Sequence, residues 1–500
     1  MTSYASPVKE GATQAQSKAR CGMIRRTKIV ATLGPSTDKG DTLHQLIAAG
    51  VNIVRLNFSH GEIEEHRRRA EQVRAEAARQ GCHIAILGDL QGPKIRVGKF
   101  TDGGVQLTAG TEFILDPSWP RERGSSAGVS VDYVELAGDC RPGDTLLLDD
   151  GRLSLLIKKI DGHVVTTEVQ DGGWLSDRKG INKRGGGLTA PALTDKDLRD
   201  IQVVADLQLD YLAVSFPRDA QDIHRARELL QQAGGNSQIV AKIERAEAIS
   251  TDEHLQDLIL ASDVIMVARG DLAVEIGDAE LMGVQKHLIR FARYLNRTVI
   301  TATQMMESMI SSPVPTRAEV CDVANAVLDG TDAVMLSAET ASGDYPVETV
   351  RHMAEVIIGA EKHRATQRPS DSLRGDYPAG DACIAMAAIT IANHCQDIKA
   401  IICQTETGNT ALLMSRVRAV IPIYAFCRHR RICNRVALYR GVDPVLMAVA
   451  GMDGPSRDNK AISHLKQRNL LKAGDFVLVS RGYRQDTGGQ TDTLRVVRVE

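Results

Sequence analysis

A chain of 500 residues with 43% apolar and 25% charged composition is long enough for about two to four globular domains with sizeable cores. A formal net charge of −2 and an aromatic content of 4% supply neither the basic field nor the stacking platforms of a nucleic-acid binder. Nine scattered cysteines without a CxxC pair point to free thiols in a reducing compartment, and no apolar signal core opens the chain. The longest apolar stretch, 382–392, is too short to span a bilayer and reads as a buried helix. The expectation is a cytoplasmic protein with no nucleic-acid or membrane partner.

Residues 1–22, rich in Ala, Ser, Gln and Lys, read as a flexible tail, with Met23 as an alternative start. From Thr27 onward, short runs rich in Val, Ile, Leu and Ala alternate with amphipathic stretches such as 219–233 and 280–296. The runs at 28–32, 52–57, 83–89, 211–215, 239–244, 264–268, 299–303 and 333–336 show little polar alternation, as expected of parallel strands covered on both faces. Eight strand–helix units predict an α/β fold built on a (β/α)8 TIM barrel over 23–92 and 190–365. The gap between the third and fourth strands is far too long for a loop. Its alternating runs at 105–107, 145–148, 153–158 and 164–169, broken by Gly-Asp, Asp-Asp-Gly and Asp-Gly turns, predict a small inserted β-barrel lid domain over 93–189. A polar, Pro- and Gly-containing linker at 364–380 precedes further runs at 399–404, 421–426, 444–448, 476–480 and 493–499. These predict a C-terminal open α/β domain over 366–500.

The strand ends carry the chemistry, because a TIM barrel builds its site at the C-terminal ends of its strands. The fifth strand ends at Lys242 and Glu244, and the sixth leads into Gly270-Asp271. The second ends in Arg55-Leu56-Asn57-Phe58-Ser59-His60-Gly61, the third runs through Asp89 to Lys94 and Arg96, and the seventh ends at Thr303-Gln304. Glu244 and Asp271 are hard oxygen ligands suited to Mg2+ or Mn2+. Arg55, Arg96 and Lys242 supply the positive charge that phosphate and carboxylate require. This set suits phosphoryl transfer, which needs positioning and charge neutralisation more than covalent chemistry. With no Walker A loop, GxGxxG or HExxH in the sequence, the inserted lid is left to hold nucleotide.

The segments 55–61, 88–96, 241–244, 266–275, 301–309 and 335–346 resemble the pyruvate kinase family, and the resemblance runs from about residue 26 to the C-terminus. The string Thr303-Gln304-Met305-Met306-Glu307-Ser308-Met309 is similar to the start of the family's signature helix. The resemblance implies transfer of phosphate from phosphoenolpyruvate to ADP, giving pyruvate and ATP. It implies Glu244 and Asp271 as Mg2+ ligands, Lys242 facing the transferring phosphoryl group, and Arg55 on the substrate phosphate. Gly270, Asp271 and Thr303 would hold the substrate carboxylate, with Thr303 beside the path of the proton delivered to the enolate. Asn57, Ser59, His60, Arg96 and the lid residue Lys179 would contact nucleotide, and Asp150 would reach it on lid closure. Family members that require potassium carry Glu where this chain has Lys94. An ammonium in a pocket completed by Asn57, Ser59 and Asp89 would replace the ion, so potassium-independent activity is expected.

In the C-terminal part, Gln404-Thr405-Glu406-Thr407-Gly408-Asn409-Thr410 follows a strand and precedes a helix, which makes a phosphate cradle. Arg416, Arg418 and Arg428 are candidate supporting cations. The resemblance is closest to the bacterial type activated by sugar monophosphates or AMP, with Thr405, Thr407, Gly408, Asn409 and Thr410 as the effector loop. The ligand would be glucose 6-phosphate, ribose 5-phosphate or AMP, and the family implies a homotetramer. The charged stretch 64–79 reads as a solvated helix face, and Cys427, Cys433, Met305, Met306 and Met309 as packing residues. Two other readings remain open at this stage: a Mg2+-dependent lyase acting on a pyruvate enolate, which needs no nucleotide lid, and a catalytically silent sugar-phosphate sensor, which would need damage in the site residues.

Overall fold

The computed structural model describes residues 25–366, 380–449, 451–482 and 491–500. The expected tail, 1–22, and most of the expected linker, 364–380, lie outside them. The chain divides into two compact units, Ile29–His352 and a second formed by Met353–Glu500 with the segment ending at Lys28.

In the larger unit, eight strands close into a barrel: Lys28–Thr32, Ile53–Asn57, Ala85–Asp89, Tyr211–Val214, Gln238–Ile243, Val264–Ala268, Thr298–Ala302 and Ala333–Leu336. Neighbours run parallel, as in the register from Val264↔Thr298 to Ala268↔Ala302. Every residue of the first, third, fourth, sixth, seventh and eighth strands is buried, which explains their unbroken apolar sequence.

Two departures from the expected strand limits have physical causes. Thr303 falls outside the seventh strand because its backbone turns left-handed, with φ 65°. Asn52 precedes the second strand because its side-chain oxygen accepts from the Ile29 amide at 3.1 Å. This arrangement repeats around the barrel floor. Asp210 accepts from Ile86 N (2.9 Å), Asp263 from Ile239 N (2.8 Å) and Asp332 from Val299 N (2.9 Å). Each acceptor stands one residue before an even-numbered strand and ties down the first strand amides of its odd-numbered neighbour. These bonds satisfy donors that barrel closure would otherwise strand.

Between the third and fourth strands the insert forms a six-stranded sheet, ordered Ile181–Lys183, Thr145–Leu148, Leu153–Asp161, Val164–Asp171, Glu112–Leu115, Gly128–Val129. A separate ribbon pairs Gly104–Leu107 with Gly173–Ser176. The segment Arg96-Val97 links the two edges of the six-stranded sheet through isolated bridges, Arg96 to Gly180 beside the first strand and Val97 to Val131 beside the last, so the sheet curls round toward the expected small β barrel with the ribbon beside it in sequence. Its core includes Phe113, Leu115, Leu146, Leu155, Val165 and Val169. The turn after Leu148 places Asp149, Asp150 and Gly151 at φ 51°, 56° and 85°, a conformation that Asp tolerates better than most residues.

Two helical expectations are corrected. The stretch at 303–309 is not the start of a regular helix: Met306 has φ 129°, and only the short 3-10 turn Glu307–Ile310 follows. Met305, Met306 and Met309 are fully buried, as expected of packing residues. The charged helix Ile63–Arg79 is not wholly a solvated face, because Arg69 is buried with its guanidinium on Asp38 at 2.7 and 3.0 Å.

The second unit is a five-stranded sheet, ordered Val442–Leu446, Ile423–Cys427, Ile398–Thr405, Phe476–Arg481, Thr493–Arg498, with only the last strand antiparallel. Pro444 is tolerated because its strand is at the edge. Cys427 and Cys433 are buried. None of the described helices is long and apolar enough to cross a membrane.

Candidate active site

The C-terminal ends of the barrel strands bring three groups of side chains together. The first is centred on Asp89, the last residue of the third strand, which is fully buried. Its Oδ2 accepts from Arg55 Nε at 2.6 Å, and its Oδ1 lies 3.4 Å from Lys242 Nζ. Lys242 also donates to Ser215 Oγ (2.7 Å) and to Glu244 Oε1 (2.9 Å), while Ser215 Oγ donates to the Leu90 carbonyl at 2.8 Å. Burial alone raises the Asp89 pKa, but Lys242 and Arg55 outweigh it and hold the carboxyl below its ordinary value. Burial alone lowers the Lys242 pKa, but Asp89 and Glu244 outweigh it and push the ammonium up to about 12. Lys242 is thus a fixed cation aimed from the barrel wall, with Arg55 as a second cation across the same carboxylate.

The second group joins the fifth and sixth strand ends. Glu244 is nearly fully buried, and its Oε2 accepts from the Phe216 amide at 2.7 Å. Burial raises its pKa, Lys242 opposes that, and the negative charge of Asp271 adds to it, leaving a net upward shift. Two carboxylates close enough to repel each other, one of them desolvated, suit a divalent cation, which would relieve both costs. Lys94 Nζ stands 3.0 Å from Asp271 Oδ1 and 3.7 Å from Asp150 Oδ1. Burial lowers the pKa of Lys94, but Asp271 and Asp150 carry it above the ordinary lysine value.

The expected grouping of Asn57, Ser59, Asp89 and Lys94 is consequently divided. No ion pair joins Lys94 to Asp89: the lysine is on Asp271, and Asp89 is engaged by Arg55 and Lys242. Asn57 Oδ1 accepts from the Ser59 amide at 3.2 Å, shaping the loop that leads to exposed His60.

The third group is Gly270 and Thr303. The Gly270 amide donates to Thr303 Oγ1 at 2.9 Å, and that hydroxyl donates to the Ala302 carbonyl at 2.7 Å. The remaining nucleotide candidates lie in the insert: Arg96 Nη1 donates to the Arg178 carbonyl (2.9 Å), and Lys179 Nζ pairs with Asp149 (2.6 Å). The sequence reading missed Ser215, the amide of Phe216 and the bridging role of Asp89. An Ala-Val-Ser-Phe-Pro strand end was the available signal for the first two.

It also missed Glu275, which sits where the insert returns to the barrel. Its Oε2 accepts from Ala246 N at 2.8 Å, its Oε1 from Asn182 Nδ2 at 3.4 Å, and its carbonyl from Gly185 N at 2.9 Å. Gly185, Gly186 and Gly187 all have positive φ, and Glu247 and Arg245 fasten the same return strand at the Gly187 amide and the Leu188 carbonyl. Burial, with Glu247 nearby, pushes the Glu275 carboxyl up to about 7. A carboxyl raised in the folded state contributes stability below its unfolded pKa, and that contribution is lost as pH rises through the folded value. The Tm of the parent is therefore expected to fall between pH 5 and pH 8 by an amount reflecting about 3 kcal/mol from this group. Glu275→Gln should flatten the profile; an unchanged Tm–pH slope in the variant would rule out this assignment.

In the second unit, the predicted cradle forms at the start of the helix Asn409–Val417. Gly408 has φ 90°, and a Cβ there would meet Val436 at 2.8 Å, so glycine is required. Thr405 Oγ1 accepts from Gly408 N (2.9 Å), Thr407 Oγ1 from Asn409 N (3.3 Å), and Thr410 Oγ1 bonds Thr491 Oγ1 (2.6 Å). Arg428 reaches this loop, pairing with Glu406 at 3.2 Å. Arg416 and Arg418 stand at the far end of that helix, roughly 10 Å along its axis from the cradle, and Arg416 is buried.

Comparison with known proteins agrees with this geometry. A family model described as "Pyruvate kinase, barrel domain" matches residues 24–350, and one described as "Pyruvate kinase, alpha/beta domain" matches 382–497. The chain is 55% identical over 477 residues to "Pyruvate kinase II" of Salmonella typhimurium, covering 95% of this chain and 99% of that one. It is 54% identical to "Pyruvate kinase" of Haemophilus influenzae over the same shares. A more distant relative, "Pyruvate kinase" of Mycobacterium tuberculosis, is 37% identical over 95% of this chain and 99% of its own. With both family models matched in order along a closed barrel and a separate α/β unit, the chain belongs to the pyruvate kinase family and is a kinase of that kind.

Proposed function

We propose that the chain transfers the phosphoryl group of phosphoenolpyruvate to ADP by the following division of labour. Arg55 binds the substrate phosphate. Lys242 faces the transferring group and neutralises charge as the bond from phosphorus to the enolate oxygen breaks and the bond to the β-phosphate oxygen of ADP forms. The amides at Gly270 and Asp271, with Thr303, hold the substrate carboxylate, and the enolate carbon then takes a proton along the path beside Thr303 to give pyruvate. Asn57, Ser59, His60, Arg96 and Lys179 hold the nucleotide, with Asp150 added from the insert. Glu244 and Asp271 would hold Mg2+, or Mn2+, which supplies further positive charge to the phosphoryl oxygens.

The observation that carries this reading is the Lys242 ammonium, 2.9 Å from Glu244 and 3.4 Å from Asp89, beside a second carboxylate at Asp271. It tests directly: pyruvate formation from phosphoenolpyruvate and ADP, with Mg2+, in sodium buffer free of potassium. Rapid Mg2+-dependent turnover is expected, and no turnover with either monovalent cation would reject the reading. Potassium independence rests on Lys94, whose ammonium already stands among the carboxylates of this rim.

The same proposal assigns the loop of Thr405, Thr407, Gly408, Asn409 and Thr410 to a phosphorylated activator, a sugar monophosphate or AMP, in a cytoplasmic homotetramer. Hydroxyls and amides at a helix start suit a phosphate, and Arg428 adds a cation. The double variant Thr405→Ala, Thr410→Ala should lose the rise in Tm that glucose 6-phosphate, ribose 5-phosphate or AMP produces in the parent. A retained shift in the variant would place the activator elsewhere.

A further inference from the structure

The scheme above leaves unused a buried cation that joins the sixth and seventh strand ends. Arg269 opens the helix Arg269–Ile276 and is 3% exposed. Its Nε donates to the carbonyls of Ala302 (3.3 Å) and Thr303 (3.2 Å), and its Nη2 to those of Thr303 (2.5 Å) and Gln304 (3.2 Å). From the other side, Asp322 Oδ1 accepts from Nη1 at 2.6 Å. Three consecutive carbonyls therefore converge on one guanidinium, which a carboxylate on the helix Arg317–Asp329 holds in place.

Those carbonyls belong to the segment where the chain turns left-handed, with φ 65° at Thr303 and 56° at Gln304. For a β-branched residue this conformation costs about 1–3 kcal/mol and persists only where its surroundings over-determine it. The planar fork of an arginine meets three carbonyls at once, whereas a lysine ammonium would reach them only as a point charge. The next residue after Arg269 closes the circuit, since the Gly270 amide donates to Thr303 Oγ1.

We propose that Arg269 is a positioning residue: it holds the Thr303 hydroxyl in the strained turn from which substrate carboxylate and proton path are served. It acts through Thr303 and does not touch substrate. The inference rests on the reading of Thr303 given under the proposed function, and the test separates the two.

Four variants are compared: Arg269→Lys, Asp322→Asn, Thr303→Ala and the double variant Arg269→Lys, Thr303→Ala. Two rates are read for each. One is kcat. The other is exchange of the pyruvate methyl hydrogens with deuterium oxide, followed by NMR with Mg2+ and inorganic phosphate as the probe in the phosphoryl position. Misplacing a reacting group by about 1 Å costs on the order of 100-fold. Arg269→Lys is therefore expected to slow exchange about 10- to 100-fold, and more than it slows ATP formation. Asp322→Asn leaves the carbonyl contacts in place on a partly exposed partner, so it should fold and lose about 3- to 10-fold by the same logic. In the Thr303→Ala background Arg269→Lys should cost nothing further. If the double variant is slower than Thr303→Ala by the full Arg269→Lys factor, Arg269 does not act through Thr303 and the proposal is overturned while the reading of Thr303 stands. If Thr303→Ala alone exchanges as fast as the parent, the reading of Thr303 fails, and the proposal with it.

Discussion

Lys242→Met is expected to lower kcat by about 10³- to 10⁵-fold while leaving the fold intact, because a cation aimed at a transferring phosphoryl group acts mainly in the transition state. The affinity for phosphoenolpyruvate should change far less, since Arg55, the residue proposed to bind the substrate phosphate, remains on Asp89 at 2.6 Å. The substitution leaves a distinct trace in stability. Asp89 keeps one cation, but Glu244 keeps only the Phe216 amide and the repulsion of Asp271. Its carboxyl, already raised, then rises further. A raised carboxyl stabilises the fold below its unfolded pKa, and the benefit disappears as pH rises through the folded value. The variant should therefore approach the parent's Tm in acid and fall below it toward neutral pH. Steady-state rates, calorimetric binding of phosphoenolpyruvate and Tm against pH check the three parts. A kcat within tenfold of the parent would remove Lys242 from its assigned place.

That Lys242 and Glu244 stand together was legible in the chain, because strand neighbours two residues apart point to one side of a barrel wall. The barrel itself was legible for the same local reason: buried parallel strands show as apolar runs, and six of the eight here are buried at every position. What escaped reading was contact between distant segments. Lys94 and Asp271 are 177 positions apart, and nothing in either segment announces their 3.0 Å pairing. The acceptors Asp210, Asp263 and Asp332 look like ordinary loop residues, and Asn52 like the first residue of a strand, until the neighbouring strand is in place. The insert's shorter strands, such as Gly128–Val129 and Ile181–Lys183, have too few residues to show alternation. Arg416 and Arg418 follow the cradle closely in sequence, but the helix between carries them away from it.

On the proposed role of Lys94 as a built-in cation, Lys94→Glu is expected to create a requirement for potassium that the parent lacks. In the parent, the ammonium lies 3.0 Å from Asp271 and 3.7 Å from Asp150. Replacing it with a carboxylate exchanges attraction for repulsion at both distances, each interaction being worth about 4 kcal/mol at 4 Å for an effective dielectric of 20. Three carboxylates, at positions 94, 150 and 271, would then share one rim. A monovalent cation can relieve that repulsion where none was needed before. The expected result is a loss of about 100-fold in sodium buffer, following the charge reversal, with most of it recovered on adding potassium at constant ionic strength. Lys94→Met separates charge replacement from simple loss of the lysine: it removes the cation without adding an anion, so its activity should fall but gain little from potassium. Initial rates for the parent and both variants, titrated with potassium against a large organic cation, decide the matter. A parent that itself requires potassium, or a Lys94→Glu enzyme indifferent to it, would show that Lys94 serves only to tie Asp150 to Asp271.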